Sequence, residues 1–453
     1  MAEKHKNPIP NPKATSSSHG TSTTKFKGLT TELLHNANAP KDPHGGVHPA
    51  IQRSVTYTYD SVEELIGAFQ GNLPKDHPSG FTYARSSSPT VTHLESRINH
   101  LENGISTVCT ATGMAAIILP ILALLRAEDH IITSKHLFGN TVNLFNTLKR
   151  FGIDLDCVDM TDMREIEAAI KPGKTRIIFL ETISNPLTYI PDLENIQALA
   201  AHHDIITIVD NTLTTPYFFK PQKLGFTFSH HSLTKYLGGH AAALGGSLTD
   251  LGTMKWQNSP NVLDFYKTTA TAARSNSLAM QQIRKKGLRD MGSTLSADSA
   301  ATIALGLETF VLRIERIKSN IKEIALYLEK HPKVARVYHP TLRSHPHHNR
   351  MNDWFSCTGS QKKEYFGSGI LSFELKPPHD MLKMINCLKI FRRATHLGDT
   401  RSLVIPVAPT IFFESGRNRR QYLGISENLI RLSIGIEEVE DLLTDLAEAL
   451  KKS

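Results

Sequence analysis

The chain has 453 residues, 40% of them hydrophobic, enough for two or three packed domains around a sizeable core. Its formal charge of +8 is scattered over runs such as "RKKGLRD" from Arg284 and "RNRRQ" from Arg417, with no aromatic-basic array, so a nucleic-acid partner is not expected. The longest apolar run, "AAIILPILALL" from Ala115, is interrupted by a proline and falls well short of the roughly 20 residues that span a bilayer, so no membrane-spanning segment is expected.

The N-terminal stretch, residues 1–28, is rich in Pro, Ser and Thr and has no apolar core that could serve as a secretory signal. It reads as a disordered arm on a cytoplasmic protein. Cys109, Cys157, Cys357 and Cys387 lie far apart with no CxxC pair, which argues for reduced thiols and against a zinc site or a disulfide framework.

Between Ile105 and Leu251, short β-rich runs alternate with helical stretches: "ISTVC", "HIITS", "LDCVDM", "RIIFLE", "DIITIVDN" and "LGGSLTD". Periodic segments such as "MAAIILPILALLR" and "LENIQALAAHH" have the length of crossover helices. This pattern predicts an α/β fold built on a mostly parallel, doubly wound sheet, assigned to residues 81–294. From Leu295 to Lys330 the apolar spacing of three and four predicts a long helix or a helix pair. Then follow a loop-like stretch from Thr341, strand-like "ILSFEL", a helix through "MLKMINCLK", strand-like "LIRLSIGI" and a terminal helix, "EVEDLLTDLAEALKK". Residues 295–453 are therefore expected to form a smaller α/β domain.

In open α/β sheets ligands bind beyond the carboxyl ends of the strands. There the sequence places Glu181 and Asn185 after "IIFL", Asp210 after "IITIV" and Lys235 after "FSHHSLT". A lysine amine forms a Schiff base with an aldehyde, and an aspartate keeps a pyridine nitrogen protonated, the two minimal contributions to pyridoxal phosphate chemistry. Ser232 and Thr234 beside the lysine offer hydroxyls to a phosphate. The turn in "TATGMAAI" adds the backbone amides of Gly113 and Met114 at a helix start.

The stretch "VDNTLTTPYFFKPQKLGFTFSHHSLTKYLGGH", with "FTYARSSSPTVTHLE", "ATGMAAI", "ETISNP" and "LIRLSIGIE", resembles the pyridoxal-phosphate enzymes of cysteine and methionine metabolism. That family includes cystathionine synthases and lyases, methionine lyase and O-acylhomoserine sulfhydrylases. The resemblance implies a fold type I, aspartate aminotransferase-like architecture. It implies that Lys235 carries the cofactor and Asp210 pairs with its ring nitrogen, with Asn185 near the phenolic oxygen. Ser232, Thr234, Gly113 and Met114 would hold the phosphate, joined by Tyr83 and Arg85 from a neighbouring subunit. Arg431 would clamp the substrate's α-carboxylate. Residues 29–80 would pack between subunits of a homotetramer, a dimer of dimers with shared active sites.

The chain also departs from the family pattern. Many relatives have a tyrosine where this chain has Phe138, which can stack on the cofactor but cannot move a proton. "HLGDTRSL" places His396 where many lyases have serine, and its wording is closer to O-acylhomoserine sulfhydrylases. His396 is expected either to contact substrate or to pack beside the pocket. The usual "HPASMTH" is replaced by "IPVAPTIFFESG", Ala241 to Ala243 supply no aspartate, and Asn140 stands where methionine lyases commonly have cysteine. The histidines of "SHPHH" from Ser344 are read as solvated loop residues, and no metal is expected. These features imply γ-replacement on an O-acylhomoserine by a sulfur nucleophile, cystathionine γ-synthase or sulfhydrylase chemistry of methionine and cysteine biosynthesis. A C–S lyase acting on cystathionine or methionine is the alternative.

Overall fold

The computed structural model describes residues 28–35, 42, 45–73, 80–268, 277–356 and 364–453. The expected N-terminal arm, apart from Gly28, and Cys357 lie outside the described residues. No helix among the described residues is long and apolar enough to cross a membrane.

Seven strands form the larger sheet: β1 (Ser106–Thr110), β2 (His130–Ser134), β3 (Asp154–Val158), β4 (Thr175–Glu181), β5 (Ile206–Asp210), β6 (Phe228–His231) and β7 (Gly246–Asp250). Their order is β1-β7-β6-β5-β4-β2-β3, and β7 is antiparallel to both of its neighbours while the remaining pairs are parallel. Strands buried on both faces read as continuous apolar runs, as "RIIFL" and "IITIV" do. Because β1, β2, β4, β5 and β6 run the same way, their carboxyl ends share one edge, where the predicted residues gather. Ile208 in central β5 is fully buried between β4 and β6. Ile208→Ala is expected to destabilise the fold by about 2–5 kcal/mol, read as a lower denaturant midpoint.

The second sheet has five strands: β8 (Val334–Tyr338), β9 (Ile370–Leu375), β10 (Arg392–Arg393), β11 (Leu403–Pro406) and β12 (Leu429–Ser433), in the order β10-β11-β12-β9-β8. It is mostly antiparallel, with β10 and β11 parallel. The periodic stretch between the sheets is a helix pair, Ala297–Glu308 and Phe310–Lys330, interrupted at Thr309. One buried cluster runs from Ile178 and Val209 of the large sheet through Ile314 and Ile321 to Phe373 and Leu432 of the small one. A shared core of this kind fixes the small sheet against the strand ends of the large one.

Three local readings differ from the structure. The histidines of "SHPHH" are not solvated loop residues: His345 is buried, and His347 Nδ1 accepts from the Ile190 amide at 2.8 Å. The stretch expected to be loop after Thr341 contains the helix His348–Trp354, whose single buried residue, Met351, leaves little periodicity to detect. The short strands β8 and β11 also carry no clear alternation.

Candidate active site

A cavity of about 370 Å³ opens where the carboxyl ends of the large sheet meet the small sheet. Gly113, Met114, Phe138, Asn185, Asp210, Ser232, Thr234, Lys235 and Arg431 all line it, so most of the predicted set converges. Tyr83 and Arg85 do not. Tyr83 is 44% exposed, and Arg85 donates from Nη1 to the Arg289 carbonyl at 2.7 Å, with its guanidinium 5.4 Å from the Tyr83 ring.

One wall is a helix start. Thr112 caps the helix Gly113–Leu124, its hydroxyl accepting from the Ala115 amide at 3.1 Å. The Gly113 and Met114 amides, which have no partner within a helix, sit at the cavity wall with the positive end of the helix dipole. A Cβ at position 113 would come 2.9 Å from that of Ser232, so glycine keeps this cradle open. Ser232 donates its own amide to Thr212 Oγ1 at 2.9 Å, which holds the turn after β6. The Thr234 hydroxyl donates to the Gly245 carbonyl at 3.2 Å and accepts from the Gly245 amide at 3.1 Å. Thr234 therefore lines the cavity while also pinning the entry to β7.

Asp210 lies at the end of β5. The Thr212 amide donates to its Oδ1 at 2.9 Å, and His230 Nδ1 lies 3.0 Å from its Oδ2. His230 Nε2 donates to the Gly113 carbonyl at 2.9 Å. Burial opposes both charges, yet their mutual attraction lowers the Asp210 pKa and raises that of His230. The result is a buried carboxylate whose charge is favoured by the histidine behind it, suited to hold a protonated ring nitrogen. His230 was not singled out in the sequence, where it is one more residue of a buried strand.

Glu181 lies directly across from Asp210 in the β4–β5 register. The Phe138 amide donates to its Oε1 at 3.2 Å, while Oε2 is buried with no partner among the described residues. Burial, then repulsion from Asp210, push its pKa well above the ordinary carboxylate value.

Arg431, on β12, is 2% exposed. Its Nη1 donates to Asn185 Oδ1 at 3.1 Å, and its Nη2 to the carbonyls of Thr395 and His396 at 3.0 and 3.2 Å. All three acceptors are neutral, and Nε has no partner among the described residues. Burial lowers its pKa to about 10, leaving it charged at neutral pH. An unbalanced buried guanidinium beside a cavity is a receptor for a carboxylate.

Burial and the nearby Arg431 lower the Lys235 amine pKa to about 8. The loop that carries it is fixed from behind by Arg313, a buried arginine that donates to the carbonyls of Tyr236, Leu237 and Gly306 at 2.8, 3.2 and 2.7 Å. Gly306 lets the helix approach: a Cβ there would come 2.2 Å from the Gly238 carbonyl oxygen. The sequence gives no sign of this clamp, since Arg313 reads as an ordinary helix residue.

An amine at a strand end, a carboxylate held ionised across the cavity and a helix-start cradle fit pyridoxal phosphate, and the protein is an enzyme dependent on that cofactor. Over residues 30–451 it matches the family described as Cys/Met metabolism PLP-dependent enzyme, and it belongs to that family. It is 36% identical over 433 residues to an L-methionine gamma-lyase of Fusobacterium nucleatum, covering 95% of this chain and 99% of that one. It is 35% identical over 430 residues to O-acetyl-L-homoserine sulfhydrylase 1 of Thermus thermophilus, covering 92% and 98%. A solved structure from Campylobacter jejuni, provisionally assigned as an O-acetylhomoserine (thiol)-lyase and holding N'-pyridoxyl-lysine-5'-monophosphate, superposes with a TM-score of 0.84 at 32% identity, covering 93% of this chain and 99% of that one. The fold is thus that of fold type I pyridoxal-phosphate enzymes, with amino-acid substrates of trans-sulfuration. Its relatives include both transferases and lyases.

Proposed function

We propose that the protein exchanges the γ-acyloxy group of an O-acylhomoserine for a sulfur nucleophile, sulfide or the thiol of cysteine. The observation that carries this reading is Phe138 in the cavity wall. A carboxylate leaving group, with a conjugate-acid pKa near about 4, departs without a proton, whereas a thiolate, near about 8.5, gains much more from a general acid. A phenylalanine supplies none. Among the described residues lining the cavity there is no tyrosine or cysteine to replace it.

When bound, the cofactor supplies an aldehyde that links to amines and a ring that stores negative charge. Lys235 is the residue proposed to hold it and, once its amine is free, to carry protons between the substrate's Cα and Cβ. Asp210 would hold the proton at the ring nitrogen, and Asn185 would serve the phenolic oxygen. The Gly113 and Met114 amides with Ser232 and Thr234 would take the phosphate, and Phe138 would stack on the ring. Arg431 orients the substrate carboxylate. Arg431→Lys, which keeps the charge but loses the planar fork, is expected to raise KM for the amino acid about tenfold or more with the cofactor colour retained.

The active form is proposed to be a homotetramer, a dimer of dimers in which Tyr83 and Arg85 complete a neighbour's site. The helix Val62–Gln70 leaves Val62, Leu65, Ile66 and Phe69 at least 40% exposed, an apolar face suited to a second copy. Co-expression of Lys235→Ala with Arg85→Ala is then expected to restore activity that neither variant has alone. Mixed subunits no more active than the separate variants would overturn the shared site.

Mass spectrometry of products from O-acetylhomoserine, O-succinylhomoserine, cystathionine or methionine, each with and without sulfide or cysteine, tests the reaction. Thiol-dependent homocysteine or cystathionine supports γ-replacement. An oxoacid with ammonia, formed without thiol, makes the protein a lyase.

A further inference from the structure

His396 stands between the two residues on which the proposed chemistry turns. Its Nδ1 lies 3.1 Å from Lys235 Nζ, and its backbone carbonyl accepts from Arg431 Nη2 at 3.2 Å. The placement is built into the fold. Two residues on, Gly398 has φ of +74°, and a Cβ there would come 2.7 Å from the Tyr236 amide nitrogen, so the segment lies directly on the lysine loop. The Gly398 amide also donates to Ser433 Oγ at 3.1 Å, tying the segment to the end of β12.

The direction of the contact follows from the two protonation states. Burial, with smaller contributions from Lys235 and Arg431 that outweigh the opposite pull of Asp399, lowers the imidazole pKa to about 4. The ring is therefore neutral at neutral pH. The Lys235 amine, at about 8, is mostly an ammonium there, which has three donors and no acceptor. Nδ1 must supply the lone pair, leaving the ring proton on Nε2, a buried atom with no partner among the described residues. Returning the ammonium's proton to so weak a base is uphill, so the ring acts as a hydrogen-bond acceptor and not as the final proton carrier.

We propose that His396 is a positioning residue for Lys235, its Nδ1 holding the amine in place by accepting a hydrogen bond whenever that amine is not covalently engaged. A long lysine side chain has several rotatable bonds, and an amine that must take a proton from one carbon and return it to the next gains from a fixed resting point. Among the described residues no tyrosine lines the cavity, and the imidazole is the polar side chain bonded to the amine. This inference rests on Lys235 being the working amine of the proposed function.

The test is competitive acetylation of the full-length chain freed of cofactor, with the Lys235 peptide read by mass spectrometry across a pH series. Only the neutral amine reacts, so labelling rises with pH through the amine's midpoint, expected near 8 in the parent. Without the acceptor the ammonium loses stabilisation, so His396→Leu is expected to lower the midpoint by about one pH unit. His396→Asn, which offers an oxygen in place of Nδ1, is expected to bring it back. A His396→Leu midpoint equal to the parent's overturns the proposal. Equal lowering in both variants also overturns it, because the ring's bulk and not its lone pair would then matter. Failure of the cofactor assignment is separately visible as colour retained by Lys235→Ala.

Discussion

The Lys235→Ala protein is expected to fold normally, show no Schiff-base absorbance once pyridoxal phosphate has been added and the unbound cofactor removed, and turn over amino-acid substrates at no more than about 10⁻⁴ of the parent rate. The fold survives because the loop is held by its backbone. The Lys235 amide donates to the Ser232 carbonyl at 3.1 Å, the Gly239 amide donates to the Lys235 carbonyl at 2.7 Å, and Arg313 grips the carbonyls beyond. Among the described residues the side chain itself makes one polar contact, to His396. Colour is lost because the absorbance, expected at roughly 420 nm, requires an amine linked to the aldehyde. The rate loss is large because one substitution removes both the covalent anchor and the base. Circular dichroism of the variant should match the parent, and a yellow variant would mean that another lysine holds the cofactor.

Lys235 was legible in the sequence because its surroundings are local. The strand "FSHH", the flanking hydroxyls and the following glycines sit within one short stretch, and the chemistry of a strand-end amine follows from it. Asp210 and Asn185 were legible for a similar reason: Asp210 directly follows a continuous apolar run, and Asn185 lies in the short turn after another. The helix pair was legible from its spacing, although its break at Thr309 was not resolved from a single long helix.

The residues that support the site were not legible, because their partners are remote in sequence. His230 matters through Gly113 and Asp210, and Arg313 through the loop after Lys235, contacts that appear only once the chain has closed. The raised pKa of Glu181 likewise depends in part on the β4–β5 register that sets it beside Asp210. His396 is an intermediate case. The sequence marked it as unusual and left open whether it contacts substrate or packs beside the pocket, and the structure places its Nδ1 at hydrogen-bond distance from the Lys235 amine. The short strands β8 and β11 were missed because so few residues give no periodicity to read.

Asp210→Asn is expected to retain bound cofactor but to lose activity by about 10²-fold or more, since it removes a fixed charge from a water-poor site while keeping the shape of the side chain. The parent carboxylate is held ionised by His230, and its Oδ1 is placed by the Thr212 amide. An asparagine oxygen still accepts that amide, so the loop is unchanged. What disappears is the charge that keeps a ring nitrogen protonated, and with it the ability to stabilise negative charge developing on the substrate. His230 changes as well. Its pKa is raised above the ordinary histidine value chiefly by Asp210, and without that partner only the Gly113 carbonyl opposes burial, so its pKa should fall. Titration of the His230 ring by NMR should therefore show its midpoint moving down in Asp210→Asn, while the cofactor absorbance persists. A variant with parent-like turnover, or an unmoved His230 midpoint, would mean that this pair does not set the charge at the ring nitrogen and that the electron-storing partner lies elsewhere in the cavity.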